Sequence, residues 1–226
     1  MPKTPKRRKF FIIEGQDGTG KATQVEKLVR KFLALNRWVK KISFPRYGYG
    51  SAKFVELYLK GEFGPPQDMD PRISSSFYTY DRFMAASVIN DWLTTDTVIA
   101  DRYTASNMAH QGGKIKAPQK RREFFHWLID LEFNELKIPR PDLTLILSVP
   151  PEISFDAAKK RAIAEGRSQD GHEINFEHIE SAAIVYKELT EIYPEEYILI
   201  NCVENGLGLS PDIIHIKIWE TIMPLL

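Results

Sequence analysis

Five short, mostly apolar runs rich in Ile, Val and Leu punctuate the chain, at 10–14, 39–43, 97–101, 143–149 and 197–202. Runs of this length and composition are the pattern of strands buried on both faces of a parallel sheet. Between them the apolar positions recur at helical spacing. A helix over about 21–36 presents Val25, Leu28, Val29 and Phe32, and a short one covers 51–59. A third starts at Asp70, whose carboxylate suits an N-cap, with Pro71 in the first turn. Its expected core stripe is Ile73, Phe77, Tyr80, Met84 and Val88. A fourth runs over about 119–136 and ends before Pro139-Arg140-Pro141; the last begins at Ser210-Pro211 and buries Ile214, Ile218 and Ile222. The alternation predicts an α/β fold, a doubly wound five-stranded parallel sheet with helices on both faces.

The length of 226 residues suits one such domain, over 10–226, with a polar, glycine-containing lid segment at about 161–173. The net charge of +1 conceals an asymmetry: residues 1–9 contribute +5, so the body carries −4. A mildly acidic body argues against a nucleic-acid-binding face. The basic head is expected to be a disordered, solvated tail. It lacks the apolar centre of a signal peptide, and no run approaches the length of a membrane span. The single cysteine, Cys202, has no internal partner and fits a reducing compartment. The expectation is a cytoplasmic protein with no nucleic-acid or membrane partner.

The chemistry concentrates after the first strand. Gly15, Gly20 and Lys21 satisfy the spacing G-x-x-x-x-G-K, placed between a strand and a helix. Glycines allow backbone N–H groups to close round an anion, the following helix aims its positive end at it, and Lys21 supplies a mobile charge. The cradle therefore comprises Gly15, Gln16, Asp17, Gly18, Thr19 and Gly20, continuing into Lys21, Ala22 and Thr23. Ala22 stands where this motif has a Ser or Thr hydroxyl that ligates Mg²⁺. Because Mg²⁺ keeps several waters and borrows substrate phosphates, loss of one protein ligand need not abolish its binding.

Ligands of a doubly wound sheet bind beyond the carboxyl ends of the strands. Two further polar clusters fall there. One is Phe44, Pro45, Arg46 and Tyr47; the other is Asp101, Arg102 and Tyr103, with Ser106 and Asn107 close behind. Asp101 and Asp17 are the candidates to hold a metal, through water where needed, and Arg102 can grip a phosphate bidentately.

Taken in order, EGQDGTGKATQ (14–24), FPRYG (44–48), YTYDR (78–82), DRYTASN (101–107) and PRPDLTLIL (139–147) resemble the thymidylate kinases, over about residues 10–193. The resemblance implies ATP and Mg²⁺, dTMP as acceptor, and a homodimer. It places Tyr78 where the family stacks an aromatic on thymine, Arg82 at a thymine carbonyl and Asn107 at the ring N–H. Phe44 and Tyr47 belong to the same acceptor pocket. Arg102 and Arg46 would hold the acceptor phosphate, with Ser106 beside them, and Asp17 would lie near the sugar hydroxyl and the metal. His110 departs from the Tyr or Phe that commonly excludes a 2′-hydroxyl. The loop also lacks the arginine that some members carry, which leaves that work to the lid, with Arg167 and then Arg161 as candidates. The aromatic-rich helix of Phe124, Phe125, Trp127 and Phe133 offers either a dimer face or core packing.

A phosphate monoester acceptor, with a second pKa of about 6, is largely dianionic at neutral pH and needs no general base. Catalysis then reduces to in-line positioning and charge neutralisation by Lys21, Arg102 and a lid arginine. Two other readings remain at this stage. A deoxynucleoside kinase would need a carboxylate base, for which Glu14 is the candidate. A non-catalytic nucleotide binder would explain Ala22. A GTPase switch is the weaker reading still, since no N-K-x-D guanine-reading motif occurs.

Overall fold

The computed structural model describes residues 7–164 and 176–226. Five strands, β1 (Phe10–Gly15), β2 (Val39–Ser43), β3 (Thr97–Asp101), β4 (Leu143–Ser148) and β5 (Tyr197–Asn201), form one wholly parallel sheet in the order β2-β3-β1-β4-β5. The predicted strands are all present, within a residue at their ends. β1 is central, and all six of its residues are buried.

Strand alternation divides the core between the two faces. Phe11 and Ile13 pack with Val25, Leu28 and Phe32 of α1 (Lys21–Ala34) and Ile214, Ile218 and Ile222 of α8 (Pro211–Ile222). Phe10 and Ile12 face Ala85 and Ile89 of α3 (Pro71–Trp92). A third cluster joins α4 (Thr104–Gly112), α5 (Pro118–Ile129) and α7 (Phe176–Ile192) over β4. α2 (Lys53–Leu59) and α6 (Pro151–Ala164) complete the helices, and a small hairpin, β6 (Val203–Glu204) with β7 (Leu207–Gly208), precedes α8. Cys202 is core, and burial pushes its thiol up to about 11.

Three expectations are corrected. First, the stripe assigned to the core of α3 is largely outside: Ile73, Tyr80 and Met84 are 55%, 43% and 52% exposed. The buried face instead carries Ser74, Ser75, Thr79, Asp81, Arg82, Ala85 and Ile89. The caps were read correctly, for the Asp70 carboxylate accepts from the N–H groups of Arg72 and Ile73. Second, the helix expected to run through 119–136 stops at Ile129 and continues as a π-helical turn, Asp130–Glu135. Phe124 and Phe125 are in the core, as the core-packing alternative has it, and Trp127 and Phe133 are half-buried. Third, residues 7–9 of the basic tail are tied down. The Arg8 N–H donates to Leu93 O, and Arg7 and Lys9 pair with Asp142.

Candidate active site

The carboxyl ends of β1, β2 and β3 open on a cavity of about 570 Å³. One wall is the β1–α1 loop. Gly15, Gly18 and Gly20 have φ of 142°, 85° and 87°, which an L side chain rarely adopts. At Gly18 a Cβ would stand 2.3 Å from Ser154 O, so α6 packs directly on this turn. Thr19 donates its hydroxyl to Gln16 O and is buried, whereas Ala22 and Thr23 reach the cavity from the first turn of α1. Lys21 folds back over the loop, donating from Nζ to Gln16 O at 2.7 Å, with Asp17 3.9 Å away. Burial, then the nearby Arg102 charge, lowers its pKa to about 8.

Arg102 is the centre of the site. Its φ of 65° is left-handed, an uncommon state for a side chain of this size. Nη2 pairs with the Asp17 carboxylate, and Nη1 donates to Ser106 Oγ and to His110 Nε2, each at 3.1 Å. The turn is held by Glu14, which is fully buried. Its carboxylate accepts from the N–H groups of Tyr103 and Ser106, from Ser106 Oγ and from the Tyr186 hydroxyl, at 2.6 to 3.0 Å. Glu14 thus caps α4 from the end of β1, supplying the acceptor that the helix's own N-terminal residues lack. Burial raises its pKa against these hydrogen bonds.

Phe44, Pro45, Tyr47 and Tyr78 line the same cavity, with Arg82, Asp101 and Asn107. The Phe44–Pro45 peptide is cis. Asn107 Nδ2 donates to Ser75 O, while its Oδ1 is buried with no hydrogen-bond partner; Asp101 Oδ1 is likewise buried and unpaired. Orphaned buried acceptors are costly, and in a cavity wall they ask for a donor from outside the chain. Arg46 is not brought to the cavity. Its Nε and backbone N–H donate to the Asp81 carboxylate and its Nη2 to Ser51 Oγ and Asp81 O. Arg167 and the side chain of Arg161 lie outside the described residues, as does the lid from 165 to 173.

The sequence reading missed His178, on the first turn of α7. Its ring stacks on His110 with centroids 4.9 Å apart, and its Nε2 lies 2.9 Å from His110 Nδ1. No motif marks it, because its helix was not read from the sequence. The capping role of Glu14 and the buried Glu132, described below, were also missed. For Glu132 a signal existed, a carboxylate four residues after Leu128 on the buried face of α5.

A phosphate cradle on the central strand of this sheet, facing the same cavity as Tyr78, Arg82 and Asn107, defines a P-loop enzyme with the nucleoside monophosphate kinase fold. The family model of thymidylate kinase matches residues 13–207. The chain is 34% identical over 185 residues to the thymidylate kinase of Mycobacterium tuberculosis, covering 80% of this chain and 85% of that one. It is 26% identical over 167 residues to the human thymidylate kinase, covering 74% and 71%. The solved thymidylate kinase of Candida albicans superposes with a TM-score of 0.70 at 21% identity, over 97% of this chain and 92% of that one. The chain belongs to the thymidylate kinase family.

Proposed function

We propose that the protein transfers the γ-phosphoryl group of Mg-ATP to dTMP, giving dTDP and ADP. The observation that carries the acceptor assignment is Asn107 Oδ1, a buried acceptor without a partner in a wall shared with Tyr78 and Arg82. Thymine offers the complement: a ring N–H for Asn107, carbonyl oxygens for Arg82 and a flat face for Tyr78. Phe44 and Tyr47 close the same pocket.

The loop Gly15–Lys21 would hold the ATP phosphates, with Lys21 turning from Gln16 O to the outer ones. Arg102 would hold the acceptor phosphate in line, its guanidinium oriented by Asp17 and Ser106. Both groups neutralise charge on the moving phosphoryl group, and no general base is required. Mg²⁺ fits the donor set present. Ala22 offers no ligand, but Asp101 Oδ1 is unpaired and Asp17 lies alongside, as suits an ion held through water and phosphate oxygens. When bound, Mg²⁺ would supply charge neutralisation at the ATP phosphates, with Asp101 and Asp17 as the residues to hold it. Arg167 and Arg161 remain our candidates for the lid's contribution to the transferring group.

The deoxynucleoside kinase alternative loses its base. The Glu14 carboxylate is spent on capping α4 and does not line the cavity. The joint presence of Lys21, Asp17, Asp101 and Arg102 in one wall counts against a mere nucleotide binder.

A homodimer would cover the exposed side of α3. Phe77 packs on Phe54 and Phe63, and Phe54 also meets Tyr80, with Ile73 and Met84 continuing the stripe along the helix. A continuous apolar stripe on one helix is self-complementary under two-fold symmetry, which favours a second copy as its occupant. The lone, buried Cys202 suits the reducing cytoplasm, and no helix among the described residues is long and apolar enough to cross a membrane.

The test is ADP release from Mg-ATP with dTMP, dUMP, UMP, dCMP and thymidine as acceptors. We expect the highest kcat/KM with dTMP. Turnover with thymidine alone would make it a nucleoside kinase, and ATP binding without transfer to any acceptor would make it a binder.

A further inference from the structure

Glu132 lies in the π-helical turn after α5, with no exposed surface, and takes no part in the mechanism above. Its carboxylate is saturated. Oε1 accepts from Thr79 Oγ1 at 2.7 Å and from Arg82 Nη2; Oε2 accepts from Arg82 Nε at 2.9 Å and from Thr104 Oγ1 at 2.7 Å. Four donors on two oxygens use every acceptor site a carboxylate has. They come from two helices: Thr79 and Arg82 from α3, Thr104 from the start of α4.

These are the helices that deliver Tyr78, Arg82 and Asn107 to one cavity. Glu132 takes the Nε–Nη2 edge of the Arg82 guanidinium, while the Tyr103 ring lies 5.8 Å from its Cζ. A bidentate grip fixes the guanidinium plane as well as its position. What remains is Nη1, which makes no hydrogen bond among the described residues, on a side chain that lines the cavity. Buried ion pairs often add little net stability over apolar groups of the same shape, so stability alone is a weak reason for a carboxylate here. The turn supports the alternative. The Leu136 N–H bonds back to Leu131 O, a five-residue spacing, and such π turns recur at functional sites.

We propose that Glu132 is a positioning residue for acceptor-base selection: by clamping Arg82 against α3 and α4 it aims Nη1, the guanidinium nitrogen left without a hydrogen bond among the described residues, at a pyrimidine carbonyl. The clamp selects a base carrying a carbonyl at C4, as thymine does, over cytosine, which presents an amino group there. This rests on the reading of Arg82 given under Proposed function.

The experiment compares dTMP and dCMP as acceptors at saturating Mg-ATP in the full chain, Glu132→Gln and Arg82→Met. Loss of a charge-assisted hydrogen bond weakens binding by about tenfold or more. For Glu132→Gln we therefore expect about a tenfold rise in KM for dTMP, KM for ATP unchanged within about twofold, and a fall in the dTMP-to-dCMP ratio of kcat/KM. A purely structural residue would lower activity with both acceptors and leave the ratio alone, which overturns the proposal. If Glu132→Gln does not fold, the paired replacement Arg82→Met with Glu132→Leu removes both charges. Its ratio should equal that of Arg82→Met alone, and a further drop would refute action through Arg82. An unchanged ratio in Arg82→Met would sink the base-reading role itself. A changed ratio there with none in Glu132→Gln would sink only the positioning role.

Discussion

Arg102 Nη1 lies 3.1 Å from His110 Nε2, and since a guanidinium only donates, that imidazole nitrogen accepts. The proton of neutral His110 therefore sits on Nδ1 and is donated to His178 Nε2, 2.9 Å away. Arg102 is thus linked through two stacked neutral imidazoles to the first turn of α7.

Protonating this pair should unfold the protein. Burial holds the His110 pKa well below 6.5, with His178 and Arg102 adding to the effect, and burial likewise lowers His178. A histidine with a depressed folded pKa binds fewer protons folded than unfolded. Its contribution to stability is complete above about 6.5 and is lost as pH falls through that value, by up to about 1.4 kcal/mol per pH unit for each histidine. Thermal unfolding between pH 7.5 and 5.5 should show a Tm that falls more steeply in the natural chain than in His178→Phe. Parallel curves would refute this.

Removing Lys21 or Arg102 should abolish chemistry without harming the fold. We expect Lys21→Ala and Arg102→Ala to lower kcat by about 10²–10³, the range for losing one preorganised charge-stabilising donor. Far-UV circular dichroism should be unchanged. Lys21→Ala should not lower Tm, since its ammonium is held at a desolvation cost. Normal turnover in either variant overturns the role given.

The ATP site should fail in mild alkali. Burial lowers the Lys21 pKa to about 8, so the free enzyme should lose the ammonium as pH rises past that value, and with it the charge proposed to receive the outer phosphates. A plot of kcat/KM for ATP against pH should break downward near 8. A profile flat to pH 9.5 would place Lys21 elsewhere in the mechanism.

Restoring the missing hydroxyl should tighten the metal requirement. Ala22 is exposed at the cavity wall, so Ala22→Thr needs no core rearrangement. We expect half-maximal activity at a several-fold lower Mg²⁺ concentration with Tm unchanged, measured by titration at fixed ATP. An identical Mg²⁺ curve would mean that the ion sits beyond reach of this position.

A charge on the α3 stripe should separate the subunits. Tyr80→Glu or Met84→Glu buries a carboxylate in any two-fold contact made by this face, a cost of several kcal/mol. Sedimentation at micromolar protein should give twice the 26.1 kDa chain mass for the natural protein and the single mass for the variants. A natural protein that sediments as a monomer refutes the proposed dimer.

Local chemistry along the chain determined the strands, the phosphate loop, the cap at Asp70 and the start of the last helix at Ser210-Pro211, because each depends on residues within one turn or one apolar run. The family resemblance that the motifs carry likewise pointed Arg102, Tyr78 and Asn107 to one site, and all three line the cavity. Periodicity located the apolar stripe of α3 but misjudged what it meets, since it reports amphipathicity and not which surface a face packs on. The opposite face is polar because it must bury Arg82 and Asp81 against partners far along the chain. Only the tertiary structure decided those pairings: Arg46 taken by Asp81, Arg82 by Glu132 fifty residues on, Glu14 capping a helix ninety residues away, and His178 stacked on His110. Each depends on the direction in which a long side chain leaves its element, and the burial that gives such contacts their strength exists only once the layers have packed.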